Sequence, residues 1–148
     1  MTSQNDTMPF DLERFVAAQE GVFEQALREL RAGRKTGHWI WFIFPQFAGL
    51  GRSEMSRSYA IGSLDEARAY LEHPILGPRL RGCVSAVLAT SGSSAEQIFG
   101  SLDAMKVRSC LTLFHRAVPD EPLFRQMLDR FYGGVTDEAT DTLLGWKR

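Results

Sequence analysis

The stretch Arg34-Lys-Thr-Gly-His-Trp-Ile-Trp-Phe-Ile-Phe-Pro-Gln-Phe-Ala-Gly-Leu-Gly-Arg-Ser53 holds two of the chain's three tryptophans, three of its ten phenylalanines and a histidine. Each large aromatic side chain buries roughly 150–250 Å² when packed, so a surface loop has no use for this much ring area. The segment must lie inside, or line a groove. Its apolar run, Trp39 to Phe44, is far short of the about 20 apolar residues that span a bilayer. Its β-branched and aromatic residues would suit a short strand, but no neighbouring sequence offers a partner, and an isolated buried strand leaves backbone groups unpaired. The better expectation is a short buried helix or irregular segment ended by Pro45, because residues before proline avoid the helical region. With no sheet here, the remaining chain reads as helices.

Upstream, helical periodicity begins at Asp11. Leu12, Phe15 and Val16 share a face, and Phe23, Ala26, Leu27 and Leu30 continue at helical spacing. Gly21 divides or kinks this region, and Gly33 stops it. Downstream, Ser53 is a natural N-cap for a short helix through Tyr59. Ser63-Leu-Asp-Glu66 has the capping-box pattern and opens a helix ending near His73-Pro74. Pro74 to Ala89 reads as a helix with Ile75, Leu76, Leu80, Cys83, Val84 and Val87 inward. Ser94-Ala-Glu-Gln97 repeats the capping box, and a longer helix runs from about Leu102 to Val118. After the break Pro119-Asp-Glu-Pro122, Leu123, Phe124, Met127, Leu128 and Phe131 mark another helix, stopped by Gly133-Gly134. Thr136 or Asp137 caps a last short one. The expected fold is all-α: a loose tail over residues 1–9, then one compact domain over residues 10–148, with about seven short helices around a buried aromatic segment.

The bulk properties narrow the function. A chain of 148 residues is long enough for one full core. Seventeen basic against 18 acidic residues argue against a dedicated nucleic-acid binder, which carries a basic excess. The polar start, Met1 to Met8, lacks the basic and apolar regions of a signal peptide, and no apolar run is long enough for a membrane span. Cys83 and Cys110 fall in helical patterns, with no Cys-x-x-Cys or Cys/His zinc spacing. These features lead to the expectation of a reduced, cytoplasmic protein with neither metal site nor cofactor.

Lys106 is the most informative polar residue. On a helical wheel, Leu102, Met105, Ser109 and Leu113 cluster, Cys110, Phe114 and Ala117 continue the arc, and Lys106 falls within it. A lysine in an apolar stripe either snorkels to an edge, pairing with Asp103 one turn earlier, or faces a polar cavity. In a cavity it is an anion-binding cation, or an amine able to act as base or nucleophile. His38, between Gly37 and Trp39, is either a hydrogen-bonded structural residue or a catalytic one. Arg34, Lys35 and Gly37 could meet a phosphate, although they match no phosphate-loop motif. Gly49-x-Gly51-Arg-Ser53 before a helix resembles an anion-binding helix start. Trp39 and Trp41 either belong to the core or stack a ring-containing ligand. His115 is expected to point outward.

These motifs resemble a known family, the bacterial domain of unknown function numbered 1810 (DUF1810), some of whose members carry the label "calpastatin". The matching pieces are Leu12-Glu-Arg-Phe-x-x-Ala-Gln19, Gly37-His-Trp-x-Trp-Phe-Ile-Phe-Pro-Gln46, Gly49-Leu-Gly-x-Ser53, Tyr59-Ala-Ile, Ala67-Arg-Ala-Tyr-Leu, His73-Pro-Ile-Leu-Gly77, Ile98-Phe-Gly100 and Asp103-x-x-Lys106-x-x-Ser109. They run in order through nearly the whole chain, and the element from His38 to Gln46 is distinctive. The resemblance implies a mainly α-helical single domain and no activity. It implies recurrence at Lys35, His38, Trp39, Trp41, Ser53, Asp103, Lys106 and Ser109. The leading expectation is a small-molecule site for a nucleotide-like or phosphorylated ligand, between the His38–Ser53 segment and the Lys106 helix. Lys106 and His38 are its candidate catalytic residues; Lys35, Trp39, Trp41, Ser53, Asp103 and Ser109 are its candidate ligand contacts. Lys106 as Schiff-base amine or general base on a sugar aldehyde, as in nucleotide or ADP-ribose processing, is the mechanistic extension. The contrasting expectation is a non-catalytic protein–protein interaction module.

Overall fold

Short periodic segments punctuated by glycine and proline fold into ten helices within residues 10–146, which a computed structural model describes. The expected tail over residues 1–9 lies outside the described residues. In chain order the helices are α1 Glu13–Gln19, α2 Phe23–Arg31, α3 Ile40–Ile43, α4 Glu54–Ser58, α5 Leu64–Glu72, α6 Leu76–Leu88, α7 Ala95–Phe99, α8 Ser101–Ala117, α9 Pro122–Tyr132 and α10 Glu138–Leu144. The fold is all-α. Three of the ten, α3, α4 and α7, are only four or five residues long. The count exceeds the about seven expected, chiefly because the N-terminal periodic region is two helices and the aromatic segment forms a helical turn of its own.

Local chemistry sets the boundaries. Gly21 separates α1 from α2 with φ of +73°, a conformation that costs glycine little and other residues more. Ser53, Ser63 and Asp137 each cap a helix by accepting from the backbone N–H three residues on. Ser94 and Gln97 complete the reciprocal capping box at α7. At α5 only half the box forms, because the Glu66 carboxylate turns to Gly62 N–H (2.7 Å) and Arg14 (3.1 Å). The start of α6 has an unforeseen cap: His73 Nδ1 accepts from the N–H groups of Ile75 (3.1 Å) and Leu76 (3.3 Å). Ile75, expected inward, precedes this helix and is exposed; Leu76, Leu80, Cys83, Val84 and Val87 are buried.

Helix α8 is the axis of the core and packs against α3, α5, α7, α9 and α10, while α6 fills the space between α2, α5 and α9. Phe114 on α8 joins the two halves, its ring 5.5 Å from Tyr70 and 5.7 Å from Phe124. The segment over residues 39–44 enters this core as one helical turn with Trp39, Ile40, Ile43 and Phe44 buried. Phe44 packs edge-on against Phe99 at 5.7 Å. Past Pro45 the backbone meets one partner residue, with Ile61 N–H donating to Gln46 O (2.9 Å) and Ala48 N–H donating to Ile61 O (2.8 Å). This isolated bridge satisfies the backbone, and among the described residues it does not extend into a strand. No helix of the described residues is long and apolar enough to cross a membrane.

The arc assigned to α8 needs correction. Leu102 and Met105, expected in the core, are 74% and 60% exposed. In the first half of α8 the core side carries Ala104 and Val107, and from Ser109 to Phe114 the helix is buried all the way round. Leu102, Met105, Lys106 and Ser109 do share a face, but that face forms the wall of a cleft.

Candidate functional site

The loop leading into the aromatic turn is organised by Glu29 on α2. Its Oε1 accepts from Thr36 N–H (2.8 Å), Gly37 N–H (2.9 Å) and the Trp39 indole N–H (2.9 Å), while Gln25 donates to Oε2 (2.8 Å). Gly37 is required by this close approach: a Cβ there would stand 2.7 Å from Gln25 Nε2 and 2.8 Å from Trp39 Cδ1. Burial works to raise the Glu29 pKa, but the hydrogen bonds from Gly37, Gln25, Thr36 and Trp39 outweigh it and bring the carboxyl down to about 2. Because the folded value lies below the unfolded one, this stabilisation is present above pH 4.5 and is lost as pH falls toward 2. Much of the carboxylate is solvated, so screening reduces the gain to about 1 kcal/mol. An acid denaturation series should show that loss between pH 4.5 and 2, and Glu29→Gln should flatten this part of the curve.

Two lysines then meet one aspartate. Lys35 Nζ lies 2.6 Å from Asp103 Oδ2 and donates to Gly37 O at 2.5 Å; its side chain is only 7% exposed. Its ammonium stands 5.0 Å from the centre of a Trp39 ring. Lys106 Nζ lies 3.4 Å from Asp103 Oδ1 and 4.8 Å from the centre of a Trp41 ring, with its side chain 32% exposed. Each ammonium rests on an indole face, which attracts cations. Asp103 therefore holds Lys106 in place while Lys35 holds Asp103.

Lys106 emerges into a cleft of about 480 Å³ between the loop after Pro45 and the outward face of α8, with the start of α10 at one side. Trp41, Leu102 and Met105 give it apolar surface; Arg52, Ser53, Ser56, Ser109 and Asp137 give it polar groups. Asp137 is immobilised by its neighbours. Its Oδ2 accepts from Ser109 Oγ (2.9 Å), Thr140 N–H (3.1 Å) and Thr140 Oγ1 (2.5 Å). Its own N–H donates to Thr112 Oγ1 at 2.9 Å.

Of the residues singled out from sequence, Trp41, Ser53, Lys106 and Ser109 line this cleft. Lys35 and Asp103 stand behind Lys106 as its supports. Trp39 is buried in the core, so the two tryptophans separate into one packing residue and one wall. His38 is exposed and lies outside the residues lining the cleft, because the Glu29 hydrogen bonds turn its neighbour Trp39 inward instead. Arg52, Ser56 and Asp137 were not singled out as ligand contacts. The glycine-flanked Arg52-Ser53 pair carried a signal for the first of these. Asp137 read only as a helix cap, and nothing in its spacing places it against Ser109, 28 residues earlier.

A second hollow of about 300 Å³ is lined by His115, Arg116 and Arg125, among others. Its guanidinium groups are already engaged, Arg116 with both oxygens of Asp141 and Arg125 with Asp129. His115, expected to point outward, is half-buried, and its Nδ1 is buried without a partner. Burial, then the nearby Arg116 and Arg125 charges, lower its pKa. Among the described residues no group of three or more His, Cys, Asp or Glu side chains could hold a metal ion.

Residues 9–144 match the model of a family described as "Protein of unknown function (DUF1810)". No curated protein matches the chain. The chain is also similar to a solved structure, the conserved hypothetical protein Rv1873 from Mycobacterium tuberculosis, with 49% sequence identity and a TM-score of 0.92. That match covers 95% of this chain and 100% of the other.

Proposed function

Because this chain belongs to the DUF1810 family, whose description names no activity, we propose its function from its own cleft: it binds a phosphorylated, nucleotide-like small molecule between the Trp41–Ser56 region and helix α8. The observation carrying this reading is the convergence of Lys106, Arg52 and three serine hydroxyls (Ser53, Ser56 and Ser109) beside the Trp41 indole. The cleft lies within the roughly 300–1,000 Å³ usual for small-molecule sites. Two cations against the single carboxylate of Asp137 favour an anionic ligand. Trp41 offers ring surface on the wall beside Lys106, and the Lys106 ammonium and Arg52 guanidinium offer donors to phosphate oxygens. Among the described residues Lys106 is the only amine on the cleft wall, so it is also the residue to which amine chemistry on a sugar aldehyde would fall. A cytoplasmic setting is supported by Cys83 and Cys110, unpaired and buried; burial pushes the Cys83 thiol up to about 12 and Cys110 well above its ordinary value.

A thermal-shift screen of nucleotides and sugar phosphates tests the proposal. A ligand at about 100 times its dissociation constant stabilises by about 2.7 kcal/mol, which raises the midpoint of a domain this size by roughly 5–10 °C. If no phosphorylated compound shifts the midpoint, the reading fails. The contrasting reading, a protein–protein interaction module, draws on the neighbouring exposed side chains Leu102 and Met105. It predicts that the whole small-molecule panel leaves the midpoint unchanged.

A further inference from the structure

Asp103, Asp137 and Asp141 all sit beside cations, but their oxygens are used differently. Asp103 has a lysine on each oxygen, and Asp141 receives Arg116 on both. All the hydrogen bonds received by Asp137 fall on Oδ2. Among the described residues its Oδ1 has only Arg108 Nη2 at 3.9 Å, beyond hydrogen-bonding range. The Asp137 side chain is 15% exposed. A carboxylate on the cleft wall, held by three donors on one oxygen and with no hydrogen bond on the other among the described residues, is a fixed hydrogen-bond acceptor.

The position of this acceptor relative to Lys106 defines a ligand. Ser109 follows Lys106 by three residues of α8, about 4.5 Å of helix rise, and Ser109 Oγ is 2.9 Å from Asp137 Oδ2. The cation and the carboxylate therefore stand on the same cleft wall, with Ser109 between them. An anion alone would be repelled by Asp137, and an apolar tail would leave its carboxylate unmatched.

We infer that the ligand of this cleft is a phosphorylated polyol, with its phosphate toward Lys106 and Arg52 and a hydroxyl donating to Asp137 Oδ1, so that Asp137 determines specificity. This inference rests on the anion-site reading above and adds the chemistry of the ligand's other end. Ser109 and Thr140 act as positioning residues: they fix the carboxylate through Oδ2.

Calorimetric titration with two probes tests it. Ribitol 5-phosphate carries a phosphate and a chain of hydroxyls without an aldehyde; n-pentyl phosphate has the same chain length and phosphate but no further hydroxyl. The expected result is that the wild-type protein prefers ribitol 5-phosphate by tenfold or more, even though Leu102 and Met105 favour the alkyl chain. Asp137→Asn keeps a side-chain oxygen able to cap α10 but places an amide donor where Oδ1 accepts. It should bring the two probes close to parity, chiefly by weakening ribitol 5-phosphate. Equal binding of both probes to the wild-type protein overturns the inference while leaving the anion reading intact, and this comparison needs no variant to fold. Equal loss of both probes in Asp137→Asn also overturns it, because the aspartate would then shape the cleft without selecting its ligand. Binding of neither probe to the wild-type protein overturns this inference, while the anion reading is decided by the thermal-shift panel of nucleotides and sugar phosphates.

Discussion

Trp39→Ala is expected to destabilise the protein by about 3–5 kcal/mol, the range for removing a large buried aromatic side chain with incomplete collapse around the void. The ring is 1% exposed, packs 6.3 Å from Phe44 and gives its indole proton to Glu29. Its loss removes both packing area and one of the donors that hold the Glu29 carboxylate, so the loop over residues 34–39 loosens with it. Whole domains are stable by only about 5–15 kcal/mol, which makes this a large share of the total. Trp39→Phe retains much of the ring and loses the N–H. Its expected cost is smaller, about 1–3 kcal/mol, from the lost part of the ring and the lost indole–carboxylate hydrogen bond. Urea denaturation measures both. An alanine variant of unchanged stability would show that the segment does not organise the fold.

The second large effect is on binding, and it separates two lysines that share one aspartate. Lys106→Met should weaken a phosphate-bearing ligand by about 30-fold or more, equivalent to about 2 kcal/mol for the loss of a charge partner. It should change stability by no more than about 0.5 kcal/mol, as for a partly exposed ion pair, because Asp103 keeps Lys35 at 2.6 Å. Lys35→Met should do the reverse. It removes a nearly buried ammonium from Asp103 and from Gly37 O, and should cost about 1–3 kcal/mol of stability. Its effect on binding comes only through the looser placement of Lys106. If the two variants behave alike in both assays, the division into a supporting and a ligand-facing lysine is wrong.

The helices were legible in the sequence where local chemistry alone defines them. The caps at Ser53, Ser94 and Asp137, the break at Gly21 and the periodic apolar residues of α6 and α9 depend on neighbours within a few positions. The role of α8 was harder to read, because a wheel gives relative angles and cannot say which side faces the core. Leu102, Met105, Lys106 and Ser109 were grouped correctly, but Leu102 and Met105 were assigned to the core and are exposed. Once that face is turned outward, a lysine within an apolar stripe becomes a cation on a cleft wall. The roles of Glu29 and Asp137 were not legible, since each depends on a contact whose spacing no motif marks: Glu29 with the Trp39 indole ten residues on, and Asp137 with Ser109, 28 residues back. The two tryptophans could not be told apart for the same reason. Trp39 is drawn inward by Glu29, whereas Trp41, two residues later on the turn, lies beneath the Lys106 ammonium.

The chain's three tryptophans, Trp39, Trp41 and Trp146, give the central claim its most direct measurement. Their indole N–H signals can be followed by heteronuclear NMR during titration with ribitol 5-phosphate. The account predicts a saturable shift of the Trp41 signal, on the cleft wall, while Trp39 in the core and Trp146, which lies 4.3 Å from the Arg116 guanidinium, remain in place. A titration that moves Trp146 and leaves Trp41 fixed, or moves none of the three, would contradict it.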